Sequence, residues 1–179
     1  MIVEVLRMIS TALTDPTTGV NAQIGAVPRD AGDDDPTLRP VTVLVETDDA
    51  AAVRNTLPVT CPAIVIRCEE SDDNTGAVNA ENVLESPNFP VRIYMIDDTA
   101  NESKRFVSLG HMSRATRRSL AHLFGNEGVE ARNRNGILIQ TINRSTMTPI
   151  VKNGQSGAAH MGFVLSLYMT VLDELAVAL

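Results

Sequence analysis

Tryptophan is absent from this chain of 179 residues, and two Tyr and four Phe bring the aromatics to only 3%. A stacking platform for single-stranded nucleic acid needs rings as base supports, so that class of binder is disfavoured. A cationic excess is missing too: the formal charge is −7. Affinity for a polyanion comes mostly from basic contacts that release counterions, so general DNA binding is disfavoured as well. Cysteine is scarce. Cys61 and Cys68 stand seven apart in "CPAIVIRC". On one strand they point to opposite faces and lie too far apart to bridge. Two thiols do not make a zinc site, which takes four ligands. Such sparse cysteine use suits a reducing compartment. No apolar run approaches a membrane span. The N-terminal stretch "MIVEVLRMISTALTD" carries Glu4 and Arg7 where a secretory signal is uninterrupted, so a cytoplasmic setting is expected.

What is present is a globular composition, 44% hydrophobic, in a length that fits one domain over residues 1–179. Ile2, Val5, Leu6, Ile9 and Leu13 recur at helical spacing, and "DPTTGV" stops that helix with Pro16 and Gly19. Residues 26–40, "AVPRDAGDDDPTLRP", read as a long wet loop. "VTVLVET", with Val41, Val43 and Val45 on one face, is the first strand. "CPAIVIRCEE" is the second, and "FPVRIYMIDD", with Val91, Ile93 and Met95 inward, is the third. The 19 residues from 70 to 88 form a second long loop; loops of that length are usually functional or disordered.

A long helix follows over about 100–124. Thr99 and Glu102 are expected to form its capping box. Its apolar line is Phe106, Leu109, Met112, Thr116, Leu120 and Leu123, and Gly125 is placed to end it. Gly110 weakens the middle by about 1 kcal/mol relative to Ala, which a close packing contact would explain. "GILIQTIN" and "MTPIVKN" read as two strands joined by the turn "RST". "HMGFVLSLYMTVLDELAVAL" starts as a long strand with Phe163, Leu165, Leu167, Met169 and Val171 on one face. The expected fold class is α+β: one mostly antiparallel or mixed sheet, with the long helix and the N-terminal helix packed on it.

Chemical motifs are few. Asp33, Asp34 and Asp35 are consecutive, whereas calcium loops alternate their oxygen ligands, so a solvated acidic loop is the simpler reading. Glu69, Glu70, Asp72 and Asp73 form either a wet turn or an acidic patch for a basic partner. "GQSGA" at 154–158 lacks the last Gly and the strand-turn-helix setting of a nucleophile elbow. His111 and His122 share a helix face but lie roughly 16 Å apart along its axis, too far to share a metal. No glycine-rich phosphate loop is found. No catalytic residue, metal site or cofactor is therefore expected, and an enzyme is a minority reading.

"SRATRRSLAHLFG" is the sharpest feature. Arg114, Arg117 and Arg118 fall at i, i+3 and i+4 and form one ridge away from the leucine stripe. Eight of the chain's 15 basic residues lie between 104 and 144. The ridge is either a solvated face or one side of an electrostatic seam. In the second case the acidic loop at Asp33, Asp34 and Asp35 of one copy meets the arginines of the next. Separate acidic and basic faces suit a head-to-tail contact, the kind that closes rings.

The layout resembles that of the tail terminator and tail-completion (neck) proteins of tailed bacteriophages. The resemblance is carried by the order of features across most of the chain. A short N-terminal helix leads to "TTGV", "VRIYMIDD" runs directly into the helix with "RATRRSLAHLF", and the closing strands end in "GFVLSLYMTVLDE". It implies a structural virion protein, assembled in the host cytoplasm and forming a hexameric ring on the tail tube. The partners it implies are the tube protein and the head connector. A head-completion or stopper protein is the alternative within the neck, with the 70–88 segment reaching into the channel. A tail-tube subunit and a small-molecule enzyme using the Asp33 to Asp35 loop are further alternatives. No specific nucleic-acid binding and no membrane are implied, and a negative chain suits a conduit through which DNA slides.

Overall fold

The computed structural model describes residues 2–27, 39–45, 61–68, 84–123, 137–153 and 159–173. Their order is α1 (Ile2–Thr14), α2 (Val20–Ala26), β1 (Thr42–Val45), β2 (Ala63–Cys68), β3 (Leu84–Asp97), α3 (Glu102–Leu123), β4 (Ile137–Asn153) and β5 (Ala159–Asp173). The five strands form one sheet in the order β1-β2-β3-β5-β4. β1 runs parallel to β2 and every other pair is antiparallel, so the sheet is mixed and the fold is α+β.

The sheet's inner face follows from strict alternation. Ile64, Ile66 and Cys68 of β2 stand opposite Met95, Ile93 and Val91 of β3, and these stand opposite Phe163, Leu165 and Leu167 of β5. With Phe89, Ile139, Met169 and Val171 they make the floor of one apolar core. Its roof is Val5, Leu6, Ile9 and Leu13 of α1, Val20 and Ile24 of α2, and Leu109, Met112, Ala115, Leu120 and Leu123 of α3. α3 lies over β3 and β5, while α1 touches β1, β2 and β4. α1 thus contacts both edge strands of the sheet.

Several boundaries differ from the sequence expectation. Val20–Ala26 is a seven-residue helix, so the 26–40 loop starts one residue later than expected; residues 28–38 lie outside the described residues. Pro16 and Gly19 do stop α1, as expected. Asp15 Oδ1 accepts hydrogen bonds from the Thr17 amide (2.8 Å), the Thr17 hydroxyl (2.7 Å) and the Thr18 amide (2.7 Å). These donors hold its carboxyl well below the ordinary carboxylate range, the Thr17 hydroxyl contributing most.

The expected 70–88 loop is shortened at its end, because β3 begins at Leu84 and residues 69–83 lie outside the described residues. The proline pair obscured this. The ladder is irregular between Ser86 and Phe89, where Pro87 cannot donate. "GILIQTIN" and "MTPIVKN" are one strand, not two: "RST" lies inside β4, whose register shifts between Ile139 and Thr141 and between Ile142 and Arg144. Those irregularities and Pro149 are tolerated because β4 is at the sheet edge.

The cap of α3 also differs. Asn101, not Thr99, caps the helix: its Oδ1 accepts from the Lys104 amide at 3.0 Å and its carbonyl from the Arg105 amide at 2.9 Å. Thr99 is engaged by Asp97, whose Oδ1 accepts both the Thr99 amide (2.8 Å) and its hydroxyl (2.7 Å). The Thr99 hydroxyl oxygen in turn accepts from Arg39 Nη2 at 3.2 Å, so the side chain is turned to this cluster on both its donor and its acceptor side. The stripe Leu109, Met112, Thr116, Leu120 and Leu123 is buried as expected, but Phe106 is 56% exposed. Gly110 has no close neighbour either: a Cβ added there meets nothing within 4 Å.

Candidate functional site

α3 presents three sides. The buried stripe faces the sheet. A flank carrying His111, Ala115 and Ser119 is buried next to α2 and the turn that precedes it, and there the Ser119 hydroxyl donates to the Thr18 carbonyl at 2.8 Å. The third side is the outer face. Arg114, Arg117 and Arg118 are all exposed on it, so the ridge expected from their spacing exists. Lys104, Phe106 and Ala121 are exposed with them. Helix α3 carries five cations against one acid, Glu102, in a chain of net charge −7. His111 is buried and His122 is exposed, so they do not converge on a ligand. Asp33, Asp34 and Asp35 lie outside the described residues, as do Glu69, Glu70, Asp72, Asp73, the "GQSGA" segment and Gly125.

A second polar cluster, which sequence reading missed, lies where β3 hands over to α3. Arg39 Nη2 donates to Asp97 Oδ1 at 2.9 Å, Asp98 Oδ1 at 2.7 Å and the Thr99 hydroxyl at 3.2 Å. From the helix side the buried Arg105 donates through Nε to the Thr99 carbonyl and through Nη2 to the Ala100 carbonyl at 3.3 Å. The Asp97 side chain is almost wholly buried, and only its Oδ2 lacks a hydrogen bond of good geometry. Burial opposes its ionisation. The Ser108 and Thr99 hydroxyls, the Thr99 amide and the Arg39 guanidinium outweigh that penalty, and its pKa lies below the ordinary value.

The cluster pins the loop leading into β1 to the β3–α3 junction, and so fixes how α3 leaves the sheet. Asn21 performs the same task nearby, accepting the Val41 amide at 2.7 Å and donating to the Val41 carbonyl at 3.1 Å. Cys61 sits within the field of this cluster. Burial pushes its thiol pKa up, and the Asp98 and Asp97 charges add to that, so it is a poor nucleophile. The Cys68 thiol donates to the Pro90 carbonyl at 3.2 Å.

"IDDT" held the only sequence signal for this cluster, since an Asp followed two residues later by Thr favours a local side-chain turn. Its partner Arg39 is 58 residues away, and no local pattern joins the two. Among the described residues no group of His, Cys, Asp and Glu could hold a metal ion, and no helix is long and apolar enough to cross a membrane. The exposed cations Lys104, Arg114, Arg117 and Arg118 and the exposed Phe106 gather on the outer face of α3. Comparison with protein-family models finds no match for the chain, and comparison with curated proteins finds none either.

Proposed function

We propose that this chain is a structural virion protein of the phage tail-terminator kind, a subunit of a hexameric ring that caps the tail tube and meets the head connector. What supports the reading is the outer face of α3. Its exposed arginine ridge backs onto a fully buried stripe, in a chain whose remaining charge is strongly negative. A subunit with one basic face and a negative remainder suits head-to-tail contact, and head-to-tail contact closes rings. The α+β layout adds support, with an N-terminal helix packed on the sheet and the strand β3 running directly into α3.

The test is native mass spectrometry with negative-stain imaging of the purified chain, alone and with tail tubes. Closed rings of about six copies, seated on tube ends, are the expected result. A chain that stays monomeric in solution and on tubes excludes the ring.

A further inference from the structure

Packing within the protomer leaves the outer face of α3 partly unexplained. Phe106 is 56% exposed, although its ring meets Phe163 edge-on at 5.9 Å between centroids. One turn further on stands Gly110, a residue that weakens a helix interior. No neighbour requires it, since a Cβ there meets nothing within 4 Å. Arg117 continues the same side of the helix at i+7, with Arg114 and Arg118 beside it. An exposed aromatic, an open notch and arginines in one row are the residue types enriched in interface cores and hot spots.

Charge identifies the occupant. Arg105 is buried, so the exposed charges of α3 are Lys104, Arg114, Arg117 and Arg118 against Glu102, a net of +3 in a chain of −7. An acidic surface is what this face attracts, and the remainder of the same chain is net acidic. Two α3 faces repel each other, so a two-fold contact between them is disfavoured and a head-to-tail one favoured. The sheet edges are poor rivals for the seam. β1 has four residues, and β4 carries Pro149 and two register shifts, devices that discourage pairing between edges.

We propose that the row Phe106, Gly110, Arg117 and Arg118 seats the acidic side of a second copy of this chain. This rests on the ring reading and names the face that would make the seam. Gly110 leaves room for the neighbour to approach the helix backbone, Phe106 supplies the apolar anchor, and the arginines set register.

Sedimentation velocity of the full chain, with Gly110→Gln and the double variant Arg117→Glu, Arg118→Glu, tests this. All these positions face outward, and thermal unfolding verifies that each variant is folded. Both variants are expected to raise the dissociation constant of the assembly at least about tenfold, and the wild type to loosen between about 0.1 M and about 1 M salt. Variants that assemble as the wild type does overturn the proposed seam while leaving the ring standing. Open filaments that the variants abolish uphold the seam and overturn the closed ring. A wild-type chain that is monomeric throughout overturns the seam, and the ring falls with it when the chain is monomeric on tube ends as well. Retention of duplex DNA at physiological salt by the wild type, lost in the double variant, overturns the seam by assigning this face to nucleic acid.

Discussion

Gly19 is needed for space and not for an unusual dihedral angle. Its φ of −72° and ψ of 175° are open to any residue. A Cβ there would lie 2.3 Å from the Asp15 carbonyl oxygen and 2.7 Å from both the Asp15 nitrogen and the Leu13 carbonyl oxygen. All three atoms are backbone and cannot rotate away, and the Gly19 amide already donates to the Asp15 carbonyl at 2.9 Å. Gly19→Ala is expected to cost about 2–3 kcal/mol, read as a fall of roughly 5–10 °C in unfolding midpoint. Asp97 makes a prediction in pH. Its folded pKa lies below its unfolded value, so the folded chain binds fewer protons than the unfolded one. The stability it contributes is full above about pH 4 and is lost as pH falls through the folded pKa. Asp97→Asn is expected to lose about 2–3 kcal/mol at neutral pH and to show a flatter decline than the wild type on acidification, measured by urea unfolding across pH.

Most elements were legible in the sequence because their burial is periodic. Val91, Ile93 and Met95, and Leu109, Met112, Thr116, Leu120 and Leu123, stand where alternation and helical spacing put them. Joins between elements were less legible. β4 hides its continuity behind polar residues, since an edge strand with register shifts need not alternate. β3 hides its first residues behind Pro87 and Pro90. α2 is too short for a period to develop, and the Asp97 cluster depends on Arg39 from a distant loop. The arginine ridge was legible from spacing alone, whereas the exposure of Phe106 was not, because an apolar residue on a helix reads as core. The cap of α3 was misplaced by two residues, and this is directly testable. Asn101→Ala removes the oxygen that accepts the Lys104 amide and is expected to cost about 1 kcal/mol by thermal unfolding. Thr99→Ser keeps a hydroxyl for Asp97 and is expected to change stability by less than about 0.5 kcal/mol.

The whole molecule carries its charge in two parts, and the division bears on what a ring of such subunits does with DNA. Four exposed cations on one helix would attract a phosphate backbone if they stood alone. They stand in a chain of −7, and at physiological salt the Debye length of about 8 Å is shorter than the roughly 20 Å of helix along which they are spread. The helix therefore acts on what touches it, while a longer polymer passing the protein meets the summed negative field. If the arginines are consumed in seams between copies, the assembled particle presents still less positive surface to DNA. Fluorescence anisotropy with a labelled random duplex is expected to show no retention at physiological salt. It should show at most weak binding by unassembled chain at low salt, abolished by Arg117→Glu with Arg118→Glu. Tight binding at physiological salt would make the particle a clamp on DNA, the opposite of a conduit, and would overturn the proposed neck role with it.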